Sequence, residues 1–358
     1  MMKKTKVAYC TGFWCTNIGN AFFSMGVEYA LKKVLGVNNV TIVSDYQTYT
    51  NGIGRRFYKH KNQLNYISNL DVDFIVLAGP VLSKYFLKMW KKTIIELSKK
   101  NIGYILLSVG IMKLDDKSRK EIIEFFKEYP PYIFVSRDKK TYDIFGKYAK
   151  NAYNGICFSM FVNDYYSPCR INSNPYITLN FDKLKEPIIR LNNNSKTKIS
   201  KNFVLDNDQY EIVESKLFNK IASKTDRYTD ALIYMISILP SKRINNKIGN
   251  YDVIRTDHRF YPHFRSKIYN QSNSFCADIP YGYLNIYYNS KLTISDRVHA
   301  CAVTMAFGNS AMLLSKTNRS ELLDRLGAKK IYTEPTRLDM KYVENEKYKM
   351  LEWLKEKI

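Results

Sequence analysis

Thr293-Ile294-Ser295-Asp296-Arg297-Val298-His299 runs from an apolar strand pattern into an apolar helix and carries a cation and an imidazole at the junction. Upstream, Lys291 to Ile294 reads as a short strand. Downstream, Val298 to Phe307 is almost continuously apolar, as a buried helix is, and Gly308-Asn309 closes it before a second strand, Ala311 to Leu314. This is one β-α-β unit. Ser295 and Asp296 are both N-cap residue types, so Arg297 and His299 are expected in or near the first helical turn. There, free backbone N–H groups and the positive end of the helix dipole attract phosphate or carboxylate. The alternative is that the two side chains merely dress the mouth of a sheet. An Arg and a His two apart in an apolar segment are costly to half-bury without a partner, which favours an anion site.

Working outward, the N-terminal half alternates strand-like and helix-like segments: Val7 to Cys10, helix Ala21 to Val34, Val40 to Val43, Phe74 to Leu77, helix Lys88 to Lys100, Gly103 to Ser108, helix Lys117 to Glu128, and Tyr132 to Val135. Helix Lys139 to Tyr148 follows the polar junction Ser136-Arg137-Asp138. Such alternation marks a parallel sheet with crossover helices. The chain turns polar around Asn163 to Pro175, a linker pattern, then restarts at Tyr176 to Phe181. Leu191 to Asn202 reads as a surface loop. Helix Asp226 to Leu239, strand Asp252 to Arg255, the opening unit and a short strand Lys330 to Tyr332 follow. Glu344 to Ile358 is an amphipathic helix expected to turn Tyr348, Leu351 and Leu354 or Trp353 inward.

The expected fold is therefore α/β, with two Rossmann-like doubly wound domains facing a cleft at the carboxyl ends of their strands. The expected boundaries are 1–165 for an acceptor-side domain, 166–340 for a donor domain, and 341–358 for a helix packing back on the first.

The chain has 358 residues, with 56 Lys and Arg against 33 Asp and Glu, a formal charge of +23. That excess implies attraction to polyanions: an anionic membrane surface, nucleic acid, or an acidic glycan or phosphate-bearing substrate. No nucleic-acid motif accompanies it, which argues against nucleic acid as the partner. No apolar run reaches the length of a membrane span, and the N-terminus lacks a signal-peptide pattern, so a cytoplasmic protein is expected. Six cysteines, at 10, 15, 157, 169, 276 and 301, lack zinc-type spacing and read as reduced structural thiols. No His or Cys set has metal-ligand spacing and no Walker-type or dinucleotide glycine motif is present, so no metal or cofactor is predicted.

From Ser295 onward the residues resemble the polysaccharide pyruvyl transferase family. Members carry a Thr/Ser-Asp-Arg-Leu-His segment after a strand, an apolar helix, a glycine, a strand and an Asn-containing loop. Here the run is Ser295-Asp296-Arg297-Val298-His299, Ala300 to Phe307, Gly308, Met312 to Leu314, and Lys316-Thr317-Asn318. Weaker echoes are Asn17 to Asn20, Ser108 to Ile111, Ser136-Arg137-Asp138 and Arg255-Thr256-Asp257. Family members have Asn-x-Gly-Asp where this chain has Asn20, and a Pro-Asp segment where it has Cys157-Phe158-Ser159. The resemblance implies a GT-B-type fold and transfer of the enolpyruvyl group of phosphoenolpyruvate, a co-substrate, onto a sugar as a ketal.

By that resemblance, Arg297 and His299 contact the donor, together with Ser295 and Asn318, and Arg137 and Lys316 are candidate second anchors. A substrate bearing phosphate and carboxylate on one small frame needs at least two cationic contacts. Ketal formation needs a general acid. His299 fits because an imidazole changes protonation near neutral pH, and Asp296, three residues earlier, is placed to orient it. Asn17, Asn20, Trp14, Asp257 and His258 are the acceptor-side candidates, for a glycan or lipid-linked oligosaccharide. His60, beside Arg55, Arg56, Lys59 and Lys61, reads as surface charge. Two other functions fit the same sequence: a GT-B glycosyltransferase using a nucleotide sugar, and a degenerate basic glycan-binding module.

Overall fold

A computed structural model describes residues 5–12, 14, 17–44, 66–112, 114–182, 184, 186–192, 200–214, 246–258, 271–316 and 321–358. The chain divides into two compact units. One comprises Met1–Phe13, Asn20–Tyr166 and Asp339–Ile358, the other Trp14–Gly19 and Ser167–Leu338.

In the first unit the alternating pattern becomes β1 (Val7–Thr11), α1 (Gly19–Leu35), β2 (Val40–Ser44), β3 (Phe74–Ala78), α2 (Phe86–Ser98), β4 (Gly103–Val109), α3 (Asp116–Glu128), β5 (Ile133–Ser136), α4 (Lys139–Phe145), β6 (Asn151–Asn154) and the short α5 (Val162–Tyr165). The six strands form one parallel sheet in the order β2-β1-β3-β4-β5-β6, a doubly wound arrangement. Its central strands are apolar on both faces because helices cover both. On one face Ile75, Leu77 and Leu106 pack with Phe86, Trp90 and Phe126. Asp115 and Asp138 cap α3 and α4 by accepting from Ser118 N and Thr141 N, each at 2.8 Å. Beyond β5, Arg137 N donates to Val109 O at 3.0 Å, which sets that side chain against Gly110.

The second unit contains β7 (Tyr176–Asn180), β8 (Ile188–Leu191), β9 (Ser200–Leu205), β10 (Asp208–Val213), β11 (Lys247–Ile248), β12 (Tyr251–Thr256), β13 (Ser274–Phe275), α6 (Tyr281–Asn289), β14 (Leu292–Ser295), α7 (Val298–Ala306), β15 (Ser310–Leu313) and α8 (Glu321–Asp324). Its main sheet runs β11-β12-β7-β14-β15, with β13 alongside β12. Only β11 is antiparallel. A separate antiparallel three-stranded sheet, β8-β10-β9, occupies both ends of the stretch expected as a loop from Leu191 to Asn202. Ile189, Ile212, Tyr210 and Phe203 bury its inner side. Residues 330–332 are not a strand: they lie in a 3-10 turn, Lys329–Tyr332, with Ile331 as its buried anchor.

The closing helix α9 (Met340–Lys357) belongs to the first unit. Its inward residues are Val343, Lys347, Met350 and Leu354, whereas Tyr348 is 64 % exposed, contrary to the periodicity reading. Lys347 takes an inward position because its amine is held by Asn163 Oδ1 (2.7 Å), Asp164 Oδ2 (2.8 Å) and Glu344 Oε1 (2.7 Å) and lies over the Phe161 ring. Helix Asp226 to Leu239 and the His60 cluster lie outside the described residues.

Candidate active site at the start of the buried helix

The parallel register aligns the ends of three neighbouring strands, with Ser295 of β14 opposite Asn180 of β7 and, one strand further, Thr256 ending β12. Carboxyl ends of strands are where open α/β sheets place ligands. From β14 the chain turns through Asp296 and Arg297 into α7, whose residues Ala300 to Ala306 are all buried. Gly308, with φ of 81°, ends the helix by donating to Met305 O at 2.9 Å while Asn309 N reaches Thr304 O.

The residue at the N-cap position is Arg297 itself, with extended φ and ψ and no side-chain cap. Ser295 Oγ instead accepts Arg297 N at 2.8 Å and donates to Asn180 O and Oδ1, at 2.9 and 3.1 Å. With no accessible surface and both hydrogen-bonding capacities used internally, Ser295 holds the turn and does not present its hydroxyl to a donor substrate.

Arg297 is only 8 % exposed. Its Nε bonds the buried Asp182 carboxylate, in the loop after β7, and Asp296 Oδ1 lies 4.0 Å away. Burial opposes its charge, yet Asp182, Asp296 and Asp257 together outweigh that and keep the guanidinium above its ordinary pKa. Its Nη2 is buried and makes no hydrogen bond among the described residues. One edge is thus fixed by a carboxylate and another remains to be satisfied. Asp296 in turn accepts Leu184 N at 2.6 Å and Asp182 N at 3.4 Å, so both its oxygens hold the loop that carries Asp182. His299 stands half-buried in the first turn of α7, with its Cβ facing Gly19.

The acceptor-side candidates separate. Asp257 and His258 are buried inside the second unit. Asp257 O accepts Tyr283 OH at 2.7 Å. His258 is boxed edge-to-face by Tyr283 and Tyr287, with Nε2 2.5 Å from Tyr287 OH. Burial, with a smaller push from Arg297, lowers its pKa to about 3 against the pull of Asp182. Both residues thus lie within the packed corner of the second unit. Asn17 turns its amide oxygen to Gly19 N (3.2 Å), and Ile18 N donates to His258 O at 2.7 Å. Trp14 is half-buried, its indole N–H unbonded among the described residues. Asn20 O accepts Ser24 Oγ at 2.9 Å in the first unit.

Of the remaining anchors, Lys316 is exposed and lies 5.6 Å over the Tyr332 ring. Asn318 lies outside the described residues. Arg137, in the first unit, is 2 % exposed, and its Nη1 is buried without a hydrogen-bond partner among the described residues. It lies flat on Gly110: a Cβ there would meet Arg137 Nε at 2.6 Å. Sequence reasoning missed Asp182, Asn180 and Tyr287, and named Thr256 only within the segment Arg255-Thr256-Asp257. The one available signal for Asp182 was an acid just beyond the apolar strand Tyr176 to Phe181. A cavity of about 450 Å3 lined by Asn174, Asp252, Gln271 and Asn273 sits at the opposite, amino-terminal end of β7 and β12.

A family model for polysaccharide pyruvyl transferase matches residues 17–314, and the chain belongs to that family and is a transferase. No curated protein matches it in sequence. Similar solved structures include UDP-GlcNAc 2-epimerase from Methanocaldococcus jannaschii in complex with UDP-GlcNAc and UDP, at 13 % identity over 89 % of this chain and 86 % of that one, TM-score 0.46. The Neisseria meningitidis UDP-GlcNAc 2-epimerase bound to UDP-GlcNAc is 10 % identical over 89 % and 85 %, TM-score 0.45. Anabaena Alr3699/HepE in complex with UDP and glucose is 7 % identical over 92 % and 91 %, TM-score 0.39. Among the described residues no helix is long and apolar enough to cross a membrane.

Proposed function

We propose that this transferase moves the enolpyruvyl group of phosphoenolpyruvate onto two hydroxyls of a glycan sugar as a ketal and releases phosphate. The observation that carries the reading is the Arg297 corner: a guanidinium fixed by Asp182 beside a helix N-terminus, with Nη2 still unsatisfied among the described residues. A phosphate or carboxylate oxygen supplies what such a group lacks. In its own unit, Arg137 has the same character, a buried cation with an open hydrogen-bonding position.

In the reaction, His299 gives a proton to the methylene carbon of the donor, which becomes the methyl group. One sugar hydroxyl adds to the cationic carbon, phosphate leaves, and the second hydroxyl closes the ring. The two hydroxyl protons return to base and phosphate, so atoms balance with no further reactant. Arg297 stabilises the phosphate as negative charge concentrates on it.

Phosphate release on incubation with phosphoenolpyruvate and a panel of β-galactosides and hexosamine acceptors tests the reading. Release is expected with at least one acceptor and is expected to vanish in His299→Ala. No release with any acceptor, together with thermal stabilisation by a uridine or guanosine nucleotide, would replace it with glycosyl transfer.

A further inference from the structure

The hydrogen bonds behind Arg297 form a chain whose direction follows from atoms of fixed polarity. A backbone N–H only donates, so Arg297 N gives its hydrogen to Ser295 Oγ (2.8 Å), and Ser295 donates onward to Asn180. The Asn180 amide has a single acceptable orientation. Its far atom lies 2.9 Å from the Thr256 carbonyl oxygen, which only accepts, so that atom is Nδ2. The same nitrogen lies 3.1 Å from Thr256 Oγ1, which therefore also accepts. Thr256 Oγ1 is 3.0 Å from Tyr287 OH, and Tyr287 OH is 2.5 Å from His258 Nε2. If Thr256 donates to Tyr287 and Tyr287 to His258, both hydroxyl hydrogens find acceptors among the described residues. The reverse order leaves the buried Thr256 hydroxyl hydrogen without an acceptor among the described residues.

We infer that this one-way chain holds His258 as the neutral tautomer protonated at Nδ1, and that Tyr287 and His258 are positioning residues for the two turns flanking His299. One end of the chain is the backbone of Arg297. At the other, the His258 carbonyl holds Ile18 N at 2.7 Å. Its Nδ1 side faces Gly19, where an added Cβ would lie 3.2 Å from Nδ1 and 3.3 Å from His299 Cβ. The electrostatics agree. Burial keeps the imidazole neutral and holds the Tyr287 hydroxyl well above its ordinary pKa, so Tyr287 remains a donor. Among the described residues, the charged groups acting on His258 are Asp182, which favours protonation, and Arg297, which opposes it.

The catalytic consequence rests on the pyruvyl transfer reading; the tautomer does not. The chain contains four histidines, so nitrogen-15 NMR of the full-length, histidine-labelled protein isolates His258 by its loss in His258→Gln. The expected spectrum shows an Nδ1–H, Nε2-acceptor imidazole unchanged from pH 8 down to about pH 5. In Tyr287→Phe, which keeps the ring but deletes the relay, that signature disappears and kcat/KM for phosphoenolpyruvate falls about 10-fold to 100-fold. Thr256→Ser, which keeps a hydroxyl at the same place, retains both. An Nε2-protonated His258, a wild-type titration near the ordinary histidine pKa, or an unchanged tautomer in Tyr287→Phe each overturns the inference. Absence of turnover in the wild type would count against the pyruvyl transfer reading, while the NMR result still decides the chain.

Discussion

At Arg297 the guanidinium has one edge bound to Asp182 and another unsatisfied among the described residues, and the two edges predict different losses. Removing the carboxylate in Asp182→Ala leaves a buried cation short of its closest counter-charge, an effect of about 3–5 kcal/mol in other buried pairs. Urea denaturation is expected to report a loss of that size; a change under ~1 kcal/mol would mean the pair contributes no more than a surface ion pair. Arg297→Lys keeps the charge but cannot reproduce the fork that joins Asp182 and a ligand together, so donor binding is expected to fail while stability drops less than in Asp182→Ala. His258 adds a pH dependence. The folded protein keeps it neutral down to about pH 3, whereas the unfolded chain protonates it below about 6.5. Between those values the unfolded state holds the extra proton. Stability therefore falls as pH drops through the window, by up to about 1.4 kcal/mol per pH unit, and this contribution is flat above it. Subtracting the unfolding profile of His258→Gln from that of the wild type should isolate the slope; identical profiles would show that His258 titrates normally in the fold.

At the scale of elements, α1 makes the sharpest test because propensity and packing disagree in sign. Gly26 lies inside this helix, where Ala is intrinsically better by about 1 kcal/mol. A Cβ at Gly26 would lie 1.8 Å from the Phe158 carbonyl oxygen and 2.7 Å from its carbon, both backbone atoms that cannot rotate away. Gly26→Ala is thus expected to lose about 3 kcal/mol, the upper end of overpacking losses, and a measured gain would show that this close approach does not exist. That contact was invisible in sequence because nothing local to Gly26 reports Phe158. The buried helix α7 was legible, since its apolar run and terminal Gly308 are local signals, and so were β1 to β5 of the first sheet, whose segments are mostly apolar. By contrast, β6 consists of Asn-Ala-Tyr-Asn and takes its place from pairing with β5, not from any pattern of its own. Likewise α6, Tyr-Gly-Tyr-Leu-Asn-Ile-Tyr-Tyr-Asn, hides its inward face because tyrosine serves on both faces. In α9, Lys347 at an inward position broke the apolar stripe that would have marked the right face. Arg297 and His299 could be singled out from their junction, but Asp182 lies 115 residues before Arg297 and reaches it only through the β7–β14 pairing.

On the scale of the whole molecule, two kinds of positive charge must be kept apart. Most of the +23 surplus comes from lysines spread along the chain, and exposed charges feel added salt. Their reach shrinks from about 10 Å at 0.1 M ionic strength to about 3 Å at 1 M. Arg297 and Arg137 are buried, where counter-ions do not enter and screening is weak. The surplus and the site therefore predict opposite responses to salt. If the basic surface serves to gather an anionic, lipid-linked acceptor, binding to vesicles containing about 30 % anionic lipid should be strong at low salt and lost near 0.5 M, in line with roughly 1 kcal/mol per surface lysine near such a membrane. Over the same range, the affinity for phosphoenolpyruvate measured by calorimetry should change by no more than about threefold if it binds at the proposed Arg297 site, behind the screened layer. Parallel loss of both would place the donor on the exposed lysines and remove Arg297 from its role. Donor binding that persists in salt, with no vesicle binding at any ionic strength, would leave Arg297 in place and mark the surplus as a compositional trait without a membrane partner.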